Sequence, residues 1–244
     1  MTNACEQIYP GFRGFIASDF KVLKGIVFDE TLANEYVLEI QELAKHENQE
    51  IEFAAKISSQ TPDGKIRYHF STNLILKREI PPATNCENLN FNHDENLLRN
   101  HQKLYQLNGS SLFHGVTFQG VKSVLNASPS QITIECFLSE PTAKQQGQFP
   151  VQTFNPYIAD VQIHSLWIWT QHFHQVGCLP SEIKNFEQFA KVPFGETFYV
   201  TCEVKSKTES SIITDVITYN RQGQIYNRMI GAKGTILPRQ IAKY

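Results

Sequence analysis

The chain has 244 residues, a formal net charge of −2 and an apolar fraction of 41%. This length suits one large domain or two small ones, and the absence of a basic stripe in the sequence argues against a nucleic-acid partner. The N-terminal stretch MTNACEQIYPGFRG lacks an apolar signal-peptide core, and no apolar run approaches membrane-span length. We therefore expect a cytoplasmic protein without a membrane partner.

Strand signals dominate the first third of the sequence. Alternating or continuous apolar runs predict four strands, at 20–29, 36–44, 51–59 and 66–76. The segment QTPDGK between the last two carries Pro-Asp-Gly, which is typical of a hairpin turn. Those two strands are therefore expected to pair with each other.

A polar segment then interrupts the strands. Residues 79–96 are rich in Pro, Asn and charged residues, and we assign 81–96 to a linker. The stretch 97–107 predicts a short helix that ends at Asn108-Gly109. Two more strands are predicted after it, at 118–126 and 132–140.

The most distinctive segment is a long helix at about 157–175. Asn155 is placed to cap its N-terminus, and Pro156 suits the first helical position. Apolar side chains point all round the helical wheel, which predicts a helix that is buried. Gly177 and Pro180 are expected to end it. The last three strands are predicted at 198–206, 211–220 and 225–237.

Two stretches share a layout of three strands with a glycine-containing turn before the last one. They are residues 36–76 and 199–237, and both begin with Tyr-Val and end with Ile-Leu. A buried helix wrapped by an antiparallel sheet, present twice, predicts an α+β double hotdog. Only the second copy has a long helix and two strands before its repeat, so the first hotdog is expected to be incomplete. The predicted division is 1–80 for the first hotdog, 81–96 for the linker and 97–244 for the second.

Four motifs resemble those of a known family. LFHGVTFQG (112–120) resembles the LFHGPxFQG-type motif of polyketide synthase and polyunsaturated fatty acid synthase dehydratase domains, with Val116 in place of proline. DVQIH (160–164) resembles their DxxxQ/H helix motif, and CLPSEIKNFEQF (178–189) resembles the LPxxI segment that follows it. YPGF and DFKVLKGIVFD, within 9–29, resemble the stretch after the first-hotdog helix.

The resemblance implies a lyase of polyketide or fatty acid biosynthesis. Such a domain eliminates water from a β-hydroxyacyl thioester and leaves an enoyl thioester. The substrate would be carried on the phosphopantetheine of an acyl carrier protein, which is the implied partner, and the domain itself would need no cofactor. The catalytic histidine of the family lies in an HxxxGxxxxP motif, and this motif occurs nowhere in the sequence. We therefore expect a dehydratase that is inactive alone and is completed by an upstream synthase chain.

The resemblance also implies roles for individual residues. In the family, the histidine removes the α-proton and the helix aspartate protonates the departing hydroxyl. Asp160 matches that aspartate, and His164, one turn further along the same helix face, would hold Asp160 or a bound water. Two glycines would bring the backbone close to the substrate and form an amide-lined hole for the thioester oxygen. The implied substrate-binding residues are Phe113, Gly115, Phe118, Gly120 and Trp167.

Each of these assignments has a plainer alternative. Asp160 would alternatively cap the first helical turn, and His164 would be a core histidine that hydrogen-bonds to the backbone. His114 is expected to be a surface residue of a strand, without a catalytic role. Gly115 and Gly120 would also suit a β-bulge. For the whole chain, the alternative is a non-catalytic hotdog module that binds acyl chains or serves as a scaffold. A thioesterase-type hotdog is a weaker alternative, because nothing marks its acid or nucleophile.

No motif in the sequence predicts a metal site. The cysteines are odd in number and lack CxxC spacing, which disfavours zinc and a disulfide framework. His172 and His174 lie two positions apart and therefore face different sides of a helix.

An incomplete first hotdog would leave one face of its sheet uncovered. A large contiguous apolar surface is rarely tolerated by a monomer, so we expect a homo-oligomer or pairing with an upstream polypeptide. The residues expected to line this face are Ile26, Phe28, Val37 and Phe53.

Overall fold

A computed structural model of the chain describes residues 1–27, 33–47, 49–87, 89, 91, 104–105, 112 and 114–237. Within these residues the chain forms ten strands. They are β1 (Arg13–Val22), β2 (Tyr36–His46), β3 (Glu50–Gln60), β4 (Ile66–Lys77), β5 (Val121–Ser128), β6 (Gln131–Phe137), β7 (Cys178–Gln188), β8 (Thr197–Lys207), β9 (Ser211–Tyr219) and β10 (Ile225–Ile236). All ten belong to one antiparallel sheet, in the order β2-β3-β4-β1-β7-β10-β9-β8-β6-β5.

The sheet has two halves that join where β1 pairs with β7. In this antiparallel pair Ala17 lies opposite Phe186, so the first four strands and the last six form one continuous surface. The α+β class and the antiparallel arrangement predicted from the sequence are confirmed. The incompleteness of the first half and the domain boundaries stay predictions.

Helices of very different length accompany the two halves. In the described residues they are α1 (Thr2–Ile8), α2 (Ala143–Gln146) and α3 (Pro156–His174), together with a 3₁₀ turn at Val116–Phe118. The helix α1 lies against β1 and β4, whereas α3 contacts five strands of the second half, β5 to β9. In the described residues, none of the helices combines the length and apolar character needed to cross a bilayer.

The long helix begins where the sequence predicts. The side-chain oxygen of Asn155 accepts hydrogen bonds from the backbone N–H groups of Tyr157 and Ile158, at 3.1 and 3.2 Å, and Pro156 occupies the first helical position. The helix ends at His174, because Gln175 adopts a left-handed conformation with φ of 55°. Pro180, predicted to end the helix, instead lies in β7 next to a register irregularity of the β7–β10 pair.

The main core of the protein surrounds α3. Residues of β6 and β8 that face the helix are almost fully buried, and so is most of the helix itself. This core includes Ile132, Ile134, Cys136, Val161, Leu166, Trp169, Phe198, Val200 and Cys202. A helix that is apolar on all sides is thereby enclosed, as its sequence predicts.

A second, smaller core lies under α1. It contains Cys5, Phe12, Ile51, Phe53, Leu74 and Leu76. Phe53 is only 1% exposed, so the expectation that it lines an uncovered face is wrong; α1 and Phe12 cover it. Val37 is exposed, Ile26 is half-buried, and Phe28 lies outside the described residues. Homo-oligomer formation stays a prediction.

Two contacts tie distant segments to the second half. The buried carboxylate of Glu6 in α1 accepts hydrogen bonds from the N–H of Gly14, at 2.7 Å, and from the N–H of Thr153, which precedes α3, at 3.1 Å. In the predicted linker, the N–H of Cys86 donates to the carbonyl of Gly223 at 2.7 Å. The described part of the predicted linker therefore packs against the second half of the chain.

Several elements differ from the sequence prediction. The first strand begins at Arg13 instead of residue 20, and no bounds were predicted for α1, α2, β7 or the 3₁₀ turn. Asp19 has a positive φ of 52° and lies at an irregularity in the β1–β4 pairing, which breaks the alternation that marks a strand. The predicted helix 97–107 lies outside the described residues except for Leu104 and Tyr105.

Candidate functional site

Asp160 lies in the second turn of α3, with its side chain 34% exposed. The helix cap is Asn155, so the alternative that Asp160 caps the helix is ruled out. The carboxylate of Asp160 therefore lies near the N-terminus of a mostly buried helix and takes no part in capping it.

His164 is held by side chains at both ring nitrogens. Its Nε2 lies 3.1 Å from Oδ2 of Asp160, and its Nδ1 lies 3.1 Å from the hydroxyl of Tyr105. The side chain is only 3% exposed. The plainer alternative, a core histidine that hydrogen-bonds to the backbone, does not describe this arrangement.

Tyr105 fixes the direction of these hydrogen bonds. Its hydroxyl accepts from the N–H of Val121 at 3.1 Å, and burial raises the pKa of Tyr105, so the hydroxyl keeps its proton and donates to Nδ1 of His164. With Tyr105 as the donor to Nδ1, the hydrogen-bond network assigns a ring proton of His164 to Nε2, which faces Asp160. Tyr105 was not predicted as a site residue, because it lies in a polar segment without a recognised motif.

His114 also faces Asp160, contrary to the expectation of a surface strand residue. Its Nε2 lies 3.4 Å from Oδ2 of Asp160, and its ring centroid lies 4.2 Å from that of His164. The side chain is 21% exposed. Burial lowers the pKa of His114, the neighbouring His164 lowers it further, and Asp160 opposes both effects. The balance favours the neutral imidazole.

The loop that carries His114 is shaped by its own hydrogen bonds. The side-chain amide of Gln119 donates to the carbonyl of His114 at 2.8 Å, and the N–H of Phe118 donates to the carbonyl of Gly115 at 2.9 Å. The ring of Phe118 packs against Tyr157 of α3, with centroids 5.0 Å apart. These contacts set the loop over the N-terminal half of α3 and bring His114 to Asp160.

Gly120 allows this loop to approach the helix. A Cβ atom there would lie 2.7 Å from Cγ2 of Val161 and 3.0 Å from Cγ of Leu138, closer than packed carbon atoms approach. The N–H of Gly120 donates to the carbonyl of Phe118 at 3.0 Å, so this amide is engaged within the loop. Around Gly115, by contrast, a Cβ would meet open space.

The predicted substrate-binding residues do not all lie within this cluster. The ring of Phe118 lies 6.4 Å from that of His114, at the edge of the cluster. Trp167 follows Asp160 by seven residues, which places it on the same face of α3 about 10 Å away, beside Gly177. Phe113 lies outside the described residues. The binding roles of all five residues stay predictions.

The cluster of Tyr105, His114, Asp160 and His164 suits proton transfer. Of its aspartate and two histidines, the carboxylate of Asp160 is the most exposed and the imidazole of His164, which orients it, is the most buried. A reacting group can therefore reach the acid from one side, while the other side is fixed by hydrogen bonds.

The chain also matches a known family and a known protein in sequence. The family model described as polyketide synthase dehydratase N-terminal domain matches residues 94–243, a range that includes all four residues of the cluster. One chain of a polyunsaturated fatty acid synthase from Thraustochytrium sp. is 22% identical over 231 residues. That alignment covers 93% of this chain but 8% of the synthase chain, so the present chain spans a small part of the relative's length.

Solved structures of dehydratase domains share the fold. The dehydratase domain of RzxB from Pseudomonas fluorescens has a TM-score of 0.70 at 13% identity and covers 96% of this chain and 81% of its own. Two structures of the dehydratase of CurK, from the curacin polyketide synthase, have TM-scores of 0.68 at 16% identity. They cover 97% and 96% of this chain, and 81% and 79% of their own. Both are inactive mutants, one with a histidine replaced by phenylalanine and one with an aspartate replaced by asparagine.

Proposed function

Because the chain belongs to the polyketide synthase dehydratase family, we propose that it is a dehydratase domain that converts a β-hydroxyacyl thioester into an enoyl thioester. The acyl chain would be carried on the phosphopantetheine of an acyl carrier protein, and the domain would act as part of a polyketide or fatty acid synthase. The similarity to a polyunsaturated fatty acid synthase supports this setting.

One observation carries the proposal. The carboxyl of Asp160 is partly exposed, while the histidine that orients it is buried and is itself held by Tyr105. A scaffold has no need of an acid fixed in this way on a buried helix. The inactive histidine and aspartate mutants of the CurK dehydratase support a reaction that uses one residue of each type.

In the proposed elimination, Asp160 acts as the general acid. A base removes the α-proton, the electrons of that C–H bond form the new double bond, and the bond from the β-carbon to its hydroxyl breaks. Asp160 gives its proton to the departing hydroxyl, which leaves as water. The carboxylate that remains accepts a hydrogen bond from Nε2 of His164, and the proton taken by the base restores the acid for the next turnover.

The base is proposed to come from an upstream synthase segment. None of the eight histidines lies in an HxxxGxxxxP motif. Among the described residues, the two histidines that face Asp160 are His114 and His164, and they belong to the second half of the chain. In this proposal they position the acid, and the α-proton goes to a histidine of the added segment.

The second candidate function is a non-catalytic hotdog module that binds acyl chains or serves as a scaffold. It is favoured by the same missing motif, because an acid without a base gives little elimination. The two candidates differ in what happens when the motif is supplied: a scaffold stays inactive.

The experiment is a dehydration assay with a 3-hydroxyacyl thioester, followed by the absorbance of the enoyl product. The chain alone is compared with the chain fused to a segment that carries the missing strands, helix and HxxxGxxxxP motif. We expect turnover by the fusion and almost none by the chain alone. His172→Ala, which changes an exposed histidine of α3, is the control and should keep the activity of the fusion.

Two outcomes would overturn parts of this proposal. If the chain alone dehydrates the thioester and loses that activity in His114→Gln, the base is His114 and not a residue of the added segment. An inactive fusion that folds correctly would favour the non-catalytic module.

A further inference from the structure

Three atoms of types that bind zinc converge at Asp160. Nε2 of His114 and Nε2 of His164 lie 3.4 and 3.1 Å from Oδ2 of Asp160, and one ligand atom from each residue fits within 4.8 Å of the others. In a tetrahedral site with bonds of about 2.0–2.1 Å, neighbouring ligand atoms are roughly 3.3 Å apart. Both measured distances lie close to that value.

The chemistry of the three groups points to one class of ion. Two imidazoles and one carboxylate are borderline to hard donors, a set that suits Zn²⁺ and related divalent ions. Asp160 and His164 lie one turn apart on α3, so a rigid helix supplies two of the donors. The loop before the 3₁₀ turn supplies His114, and its partial exposure leaves a route for the ion.

The surroundings of the cluster resemble the outer shell of a metal site. The second nitrogen of His164 meets the hydroxyl of Tyr105, and that hydroxyl is itself fixed by the N–H of Val121. Such partners set the orientation of a ligating histidine. Asp160 and His114 are 34% and 21% exposed, so water can reach the cluster and supply a fourth ligand.

We propose that His114, Asp160 and His164 bind one divalent metal ion of the Zn²⁺ class, with water in the fourth position. This proposal does not depend on dehydratase activity. It has a consequence for that activity, because a carboxylate that binds a metal ion is deprotonated and has no proton to deliver to the departing hydroxyl. Zinc is therefore expected to act as a reversible inhibitor rather than as a cofactor.

A second cluster in the described residues provides a matched control. His46, Glu50 and Glu52 also have ligand atoms within 4.8 Å of one another, but they lie in β2 and β3 with the side chain of His46 57% exposed. This cluster offers a single imidazole, and Glu50 is paired with Lys77 at 2.8 Å. It is expected to bind zinc far more weakly.

The test is calorimetric titration of the metal-free, full-length chain with Zn²⁺. We expect one tightly bound ion per chain, loss of that binding in His114→Gln and in Asp160→Asn, and unchanged binding in His46→Ala. Tyr105→Phe should weaken binding by about 10–100-fold, the range for loss of an outer-shell partner. Titration with Co²⁺, whose visible bands report tetrahedral coordination, gives a readout that does not require activity, and circular dichroism checks that each variant is folded.

The proposal is overturned if the folded wild type binds no ion, or if His114→Gln binds as tightly as the wild type. Loss of the tight site in His46→Ala would place it on the first half instead. A folded fusion that binds zinc and never dehydrates a thioester would contradict the proposed function alone. A fusion that is active and indifferent to zinc would contradict the metal site alone.

Discussion

The two halves of the sheet differ most in the helix that covers them. In the second half α3 has 19 residues and spans about 28 Å, and β9 alternates buried and half-buried positions along most of its length. In the first half α1 has 7 residues and spans about 10 Å, and the strand β2 has no position that is fully buried. The short α1 lies against β1 and β4, and β2, at the edge of the sheet, buries no residue.

The halves also use buried histidines differently. His69 in β4 and His164 in α3 are both 3% exposed. The nitrogens of His69 meet the hydroxyl of Ser59 and the carbonyl of Lys24, at 2.8 and 2.9 Å, so this histidine is satisfied by neutral groups. His164 contacts a partly exposed carboxylate. The comparison shows why acid chemistry is assigned to the second half.

Two leucines of equal burial are expected to differ most in how much they stabilise the fold. Leu166 of α3 and Leu74 of β4 are each 1% exposed. We expect Leu166→Ala to lower the free energy of unfolding by about 4–5 kcal/mol and Leu74→Ala by about 2–3 kcal/mol, within the usual range for such cavities. The smaller core under α1 can collapse around the gap, whereas the core around α3 is enclosed. Urea unfolding followed by circular dichroism measures both, and equal losses would contradict the comparison.

Substitution of two glycines at which the backbone packs closely against a helix is expected to have a smaller effect on stability. A Cβ at Gly120 would meet Val161 and Leu138, whereas one at Gly14 would meet a methyl group of Thr2, at 2.2 Å. We expect Gly120→Ala to cost about 1–3 kcal/mol through overpacking, and Gly14→Ala to cost less because α1 can shift. The double variant Thr2→Ala with Gly14→Ala should recover most of the loss. A larger cost at Gly14 than at Gly120, measured by thermal unfolding, would contradict this account.

The smallest effect concerns how the helices begin. Asn155 caps α3 through its side chain, whereas Met1 makes no side-chain cap for α1. Asn155→Ala is expected to lower stability by about 1 kcal/mol, and Asn155→Ser should lose only a fraction of that because serine also caps. Hydrogen exchange of the first turn of α3 is the measurement. If exchange there is as fast in the wild type as in the first turn of α1, the cap does not distinguish the two helices.

The parts of the fold that were predictable have strong local signals. The Asn155-Pro156 pair and the apolar residues all round α3 predicted the helix and its burial, and the motif at 160–164 marked Asp160 and His164. The strand β7 was missed because Pro180 and the charges at Glu182 and Lys184 hide its alternation.

The composition of the site could not be predicted from local patterns. His114 and Asp160 are far apart in sequence, and they meet because the Gln119 side chain and the 3₁₀ turn shape the intervening loop. Tyr105 joins the cluster through the backbone of Val121, a contact that no spacing rule contains. Such tertiary contacts follow from packing and become visible only in the folded chain.

The dehydration rate of the Asp160→Asn variant tests whether Asp160 is the acid. It is measured in the fusion that carries the HxxxGxxxxP segment, with a 3-hydroxyacyl thioester, metal-free buffer and His172→Ala as the control. Asparagine keeps the shape of the side chain but its amide protons are not acidic, so we expect the rate to fall by at least ~10²–10⁴-fold while the control keeps its activity. A folded Asp160→Asn protein that turns over at the rate of the unmodified fusion would show that the acid lies elsewhere.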